Sequence, residues 1–291
     1  AYSYSDGAFI AGGSSSDTSG RNAVIQHCVF HNNQNAGVEV RGNSRDSVLI
    51  QQNTIVENEN GVVVWGSGVA PVIYRNRTSG NRSNGVLIQG TANSPFVVNN
   101  LIYANRLDGF SHNGGGVNDF RIINNHIYGN GRDGIRLRGT SNSNQYPQLS
   151  NNIISENMGF GVNEIAANTS SVPRNNDFFN NTAGIFRRNA GTILTLEEVN
   201  LLPNAGNNIA DDPLFHVILE GMITAISYDT TTNSSVLTDV NAAFFGVKDL
   251  VVYPDISLIE QFLIIDYTNN TLTVAGDIRN VSMVGDSYKI V

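Results

Sequence analysis

A single cysteine, Cys28, in 291 residues excludes an internal disulfide framework. Lysine is nearly absent: Lys248 and Lys289 are the only two, so positive charge is carried almost wholly by arginine. With a net charge of −8 and no basic stripe, nucleic acid is not an expected partner. No run of about 18 apolar residues occurs, so no membrane-spanning helix is expected. HExxH, CxxC, GxSxG and a phosphate-binding glycine loop are all missing, which removes the reactions those motifs carry. Charged residues are only 14% of the chain, yet 40% are apolar, so low charge here does not signal disorder.

Asparagine and glycine are abundant, and they recur in order. The segments CVFHNNQNAG, NTIVENENG, NRTSGNRSNG, NLIYANRLDG, NHIYGNGRDG, NIISENMGFG and NDFFNNTAG follow one template. The second asparagine falls at Asn33, Asn58, Asn81, Asn105, Asn130, Asn157 and Asn181, in steps of 25, 23, 24, 25, 27 and 24 residues. A period of this size marks a solenoid, whose units bury their apolar faces only by stacking. After each glycine, small and β-branched residues alternate with others: Val38 and Val40, Val62 and Val64, Val86 and Ile88, Ile135 and Leu137. That alternation is a strand with one face inward. Short strands joined at Asn/Gly corners predict a parallel β-helix with about 4.8 Å between coils. The asparagines are expected to tolerate left-handed corners and to bond amide to amide along the stack. Gly37, Gly61, Gly85, Gly109, Gly134, Gly161 and Gly184 are expected to supply positive φ.

The N-x-I-x-x-N-x-x-x-G pattern, with the stretch from Asn207 to Phe215 that resembles a closing segment, is similar to the coils of the pectate-lyase-like right-handed β-helix superfamily over roughly residues 7–216. The resemblance implies an all-β solenoid, an extracellular or cell-surface setting and a polysaccharide partner. The same superfamily holds lyases, hydrolases, epimerases, phage tailspikes and adhesins, so it does not fix an activity. The calcium cluster of pectate lyases, the double aspartate of polygalacturonases and the DPH of epimerases do not map onto this chain. The alternative is a non-catalytic surface or virion fibre module forming a homo-oligomer such as a trimer, through the β-helix or the C-terminal domain.

The repeat stops near residue 189. Thr195-Leu-Glu-Glu-Val-Asn-Leu-Leu suggests one helical turn over the last coil, and from Gly221 the texture becomes that of longer strands, MITAISY, SVLTD, DLVVY, FLIIDY, TLTVAG and SYKIV. A hairpin is expected at Thr268-Asn269-Asn270-Thr271. The chain therefore divides into a β-helix, residues 1–216, and a small antiparallel barrel or sandwich, 217–291, serving as cap, oligomerisation or carbohydrate-binding domain. The first part holds 16 acids and 14 arginines, the second 9 acids and 3 bases. The opening AYSYSDGAFIAGG reads as the end of a coil, without a signal peptide or a capping helix, and implies processing or an upstream region.

Chemistry is sought where the repeat is broken on the outside. Asp108 and Asp133 precede the glycine in adjacent coils, where other coils carry Ala36, Asn60, Asn84, Phe160 or Ala183. Stacked about 5 Å apart, two carboxylates raise one pKa and supply a proton donor and acceptor. They equally suit Ca²⁺, or solvated Asp-Gly turns. Arg106, Arg132, Arg136 and Arg138 lie beside them, a fit for acidic sugar carboxylates, so cleavage of an acidic glycan by a lyase or hydrolase is the expected activity, with Arg136 and Arg138 beside the carboxylates. Asn113 faces outward on the coil above. His112 is the natural base candidate, although its place corresponds to the inward Val64 and Ile88. Trp65 on the outer face, and Tyr103 and Tyr128 in a second column, are the candidates for stacking on sugar rings. The longer coil with Ser141-Asn-Ser-Asn-Gln-Tyr-Pro is a candidate groove lip.

Overall fold

The computed structural model describes residues 6–11, 23–42, 48–91, 93–115, 120–139, 147–165, 169–189, 191–213, 219–244, 251–255 and 262–290. The chain forms two compact units, 1–212 and 213–291.

The first unit is a parallel β-helix of three sheets. The first sheet runs in order through Ala8–Ala11, Ala36–Gly42, Asn60–Ser67, Val86–Thr91, Phe110–Gly115, Ile135–Arg138, Phe160–Glu164 and Gly184–Arg188, and ends on an antiparallel strand, Thr192–Leu194. The second and third sheets each hold seven strands, among them Phe96–Val98 and Leu101–Tyr103 of one coil. Successive coils pair in parallel with no slip over the central strands: Val64, Ile88, His112 and Leu137 stand in one column, as do Trp65, Gln89, Asn113 and Arg138. The expected inward residues Val38, Val40, Val62, Val64, Val86, Ile88, Ile135 and Leu137 all lie in one buried core cluster.

The asparagine columns are continuous hydrogen-bond ladders. In the second column the amide of Asn105 donates both its backbone N–H (3.1 Å) and its side-chain Nδ2 (3.0 Å) to Oδ1 of Asn130. Asn130 repeats this toward Asn157, and spends its remaining donor on the Ile102 carbonyl inside the coil. The first column runs the same way from Cys28, which contributes only its N–H, through Asn53 to Asn208. There Asn200 of the helix Leu196–Asn200 receives the last pair of donors and closes the ladder. Thr195 and Glu198 form a reciprocal cap at the start of that helix, and Val199 inserts into the core.

Two corner expectations need correction. The left-handed residue is the one before each ladder asparagine: Gln52, Arg75, Asn99, Asn124 and Asn151 precede Asn53, Asn76, Asn100, Asn125 and Asn152. The kink at that residue turns the following amide inward, where it meets its copies. The glycine column also has a different cause. Of its members only Gly184 has positive φ. At Gly109 a Cβ would collide with Ile127 Cγ2 and stand 2.8 Å from both Asn130 Nδ2 and the Gly134 carbonyl. These glycines are required by the closeness of the next coil.

The second unit is a seven-stranded antiparallel half-barrel, with Leu219–Met222 at one edge and Ala225–Asp229 at the other. The expected single strand MITAISY is thus two strands, broken at Ile223 and Thr224. Phe262–Tyr267 and Thr271–Ala275 form the hairpin through Thr268–Thr271. Its core gathers Ile223, Leu237, Val252, Ile264, Leu272, Val274 and Tyr288. The Tyr288 hydroxyl donates to buried Asp239 (2.9 Å), and burial with that carboxylate raises the phenol pKa.

Candidate functional site

The outer surface of the first sheet carries two columns of side chains. Two residues apart on each strand, they behave differently. The column Arg41, Trp65, Gln89, Asn113 and Arg138 is half-buried to exposed. The column beside it runs Glu39, Val63, Leu87, Ser111, Arg136, Asn163 and Arg187. Glu39, Val63, Ser111 and Asn163 in it are buried although they face away from the core. The sheet therefore carries a buried to half-buried row along the solenoid axis, flanked by a more exposed row.

At one end Arg41 bonds buried Glu39 through Nε (2.8 Å), and its guanidinium lies 4.1 Å from the Trp65 ring centroid and 5.5 Å from that of Phe9. Trp65 is 43% exposed, but Arg41 already occupies one indole face. At the other end lie the arginines. Arg138 is exposed and has no ion pair among the described residues.

Asp108 and Asp133 lie where each coil turns into the first sheet, and both are buried. They extend a third ladder. Asn84 donates its N–H and Nδ2 to Asn60 Oδ1, the Asp108 N–H bonds Asn84 Oδ1, the Asp133 N–H bonds Asp108 Oδ1 (3.2 Å), and the Phe160 N–H bonds Asp133 Oδ1 (2.9 Å). Its donors point toward the preceding coil, opposite to the two asparagine ladders. An aspartate serves as acceptor here as well as asparagine does, but it adds a charge that must be compensated under burial. Arg132 clamps Asp108 with Nε and Nη2, and Asp108 in turn raises the arginine's pKa. Arg136 Nη1 (3.1 Å) and Asn163 Nδ2 (2.8 Å) take Asp133 Oδ2. The repeat placed these two carboxylates on neighbouring coils, and they are there. The solvated-turn alternative does not describe them. They also do not fit Ca²⁺, since their oxygens are committed to arginine and backbone, and no group of three or more His, Cys, Asp or Glu side chains suited to a metal occurs among the described residues.

His112 points inward, in the column between Ile88 and Leu137, with its ring 5.0 Å from that of Phe120. Neither ring nitrogen has a hydrogen-bond partner among the described residues, and burial lowers its pKa to about 4. It is not beside the outer carboxylates. Tyr103 and Tyr128 stack with centroids 4.9 Å apart, but on the third sheet, with Arg77 Nε bonding the Tyr103 hydroxyl (2.7 Å). They share no sheet with Trp65. Arg106 is exposed at the corner leading into the first sheet. The lip segment 141–146 lies outside the described residues. Glu164 escaped the sequence reading: it takes an inward position opposite Leu137, accepts from the Ser171 N–H (2.6 Å), lies 3.5 Å from Arg188, and is pushed up to about 7 by burial. An acidic residue in register with the core column was the available signal.

The family model for the right handed beta helix region matches residues 4–77 and 68–201. No curated protein matches the chain. In structure it is similar to the periplasmic alginate epimerase AlgG, with TM-score 0.49 and 19% identity over 64% of this chain. That stretch is 44% of the other chain, so the present chain spans less than half of its length. No helix among the described residues is long and apolar enough to cross a membrane.

Proposed function

Because the chain belongs to the right-handed β-helix family, we propose that its first unit recognises an extended, acidic polysaccharide along the outer face of the first sheet, outside the cytoplasm. The observation that carries this reading is the outward row of Val63, Ser111 and Asn163, buried, with half-buried Leu87, flanked by the exposed Trp65, Asn113 and Arg138. A linear polymer fits a binding surface that repeats along one axis. Arginine forks suit carboxylates on such a polymer, and Asn113 and Gln89 suit its hydroxyls.

Recognition is favoured over cleavage. A lyase needs a base able to reach a sugar proton. His112 lies in the core, and Asp108 and Asp133 hold backbone and arginine. This commitment of both carboxylates supports a second reading, a non-catalytic adhesin or fibre module whose stack is structural.

Incubating the full chain with uronate polymers and following both retention and unsaturated products separates these readings. Recognition predicts retention that weakens with salt. Lack of retention on every acidic polymer, together with a stable oligomer by light scattering, would leave the structural module. If products do form, Asp108→Asn tests the carboxylate: turnover that persists in this variant removes Asp108 from the chemistry.

A further inference from the structure

The Asn163 side chain combines two facts that do not suit a purely structural amide. Its Nδ2 is fixed, because Asp133 Oδ2 at 2.8 Å is a carboxylate oxygen and only accepts. The amide therefore cannot flip, and Oδ1 must face the other way. That Oδ1 is buried and has no hydrogen-bond donor among the described residues. Buried acceptors are nearly always satisfied, and leaving one without a partner is costly. Asn163 belongs to the outward column, directly between Arg136 on one coil and Arg187 on the next. An oriented acceptor thus sits between two cationic side chains, in the buried to half-buried row of the outer face.

We propose that Asn163 is the centre of a subsite for one hydroxylated, carboxylate-bearing sugar unit: a sugar hydroxyl donates to Asn163 Oδ1 while the carboxylate of the same unit lies against Arg187 and Arg136. This rests on the polysaccharide reading and assigns it a place and a chemistry. Arg136 keeps its bond to Asp133 Oδ2, and Arg187 lies over the Phe160 ring, 5.6 Å from its centroid, so the sugar unit approaches Oδ1 from the outer face between them. Asp133 acts as a positioning residue, since it holds the amide in the one orientation that presents oxygen to the ligand. Asn113, at the corresponding exposed row two coils away, has no carboxylate fixing it and does not share this property.

The test uses an oligogalacturonate and the same oligomer with its carboxyls reduced to alcohols, titrated calorimetrically into the full chain. Asn163→Leu keeps the side-chain size and removes the acceptor. It is expected to weaken both oligomers by about tenfold, the size of one good hydrogen bond. Arg187→Gln is expected to weaken only the acidic oligomer, and serves alone should the leucine variant fail to fold. Unchanged affinity for both oligomers in a folded Asn163→Leu variant overturns the subsite and leaves the polysaccharide reading standing. Equal loss on both oligomers in Arg187→Gln also overturns it, because the carboxylate would not be the group held there. If the wild-type chain binds neither oligomer, this subsite and the acidic-polysaccharide reading fall together.

Discussion

An asparagine side chain carries the same amide as the backbone, with one acceptor oxygen and two donor hydrogens. Stacked on its copies it satisfies the neighbour's N–H and its own oxygen at once. Asn130 therefore serves five hydrogen bonds: it accepts two from Asn105, and donates two to Asn157 and one to Ile102. Asn130→Ala leaves several buried groups without partners, and a loss of about 3 kcal/mol or more is expected by denaturant titration. A loss under 1 kcal/mol would show that the ladder is incidental. Asp108→Asn is the contrasting case. It surrenders the Arg132 clamp but regains a donor toward Asn84, so the unfolding midpoint is expected to stay close to wild type. The asparagine ladders were legible in the sequence because they repeat. Which residue takes the left-handed turn was not, since Gln52, Arg75 and Ala104 adopt it as readily as Asn99 and Asn124. The stack enforces that geometry whatever the side chain, and so erases the compositional signal.

Single elements are short, and none would be stable alone. The helix Leu196–Asn200 is held by its cap, by Val199 in the core and by the hydrogen bonds between Asn200 and Asn208. Removing the cap with Thr195→Ala is expected to cost about 1 kcal/mol. Hydrogen exchange at the Val199 and Leu201 amides should report it, because both donate to carbonyls of that turn. Unchanged protection would mean that Val199 packing and the Asn200–Asn208 bonds hold the helix without the cap. Gly109→Ala tests strand spacing: its Cβ has no room against the next coil, and a destabilisation of about 1–3 kcal/mol or more is expected. Strand positions and inward faces followed directly from alternation. The grouping of site candidates did not, because a three-sided coil sends residues of one repeat to different sheets. Trp65 is exposed and Tyr103 buried, and they belong to the first and third sheets. A linear repeat states only that each will meet its own copies.

For the molecule as a whole, interior titrating groups set how stability answers to pH. Glu164 has its carboxyl raised from 4.5 to about 7 by burial, so it contributes stability that is present below about pH 4.5 and is lost as pH rises toward 7. His112 and His126 are lowered from 6.5 to about 4, and their contribution is present above pH 6.5 and lost as pH falls toward 4. The two trends oppose each other between pH 4.5 and 6.5, which flattens the profile of the native chain. Glu164→Gln removes one of them. Relative to wild type, that variant is expected to be more favourable at pH 8 than at pH 5, read from unfolding midpoints at each pH. A difference that does not change with pH would show that the carboxyl titrates normally. The repeat announced the solenoid and put His112 and Glu164 in register with the inward column, but register alone did not show how burial shifts them, and His126 lies on the third sheet beside inward Ile127.

The identical register of every coil has one further consequence. Within the asparagine ladders each winding offers its neighbour the same donors and acceptors, so the repeat itself does not set how many windings lie between Cys28 and the closure at Asn200. Duplicating a whole winding would lengthen the flank and add one more landing place for a polymer. Inserting one amino acid within a strand would instead turn the side chains beyond it inside out.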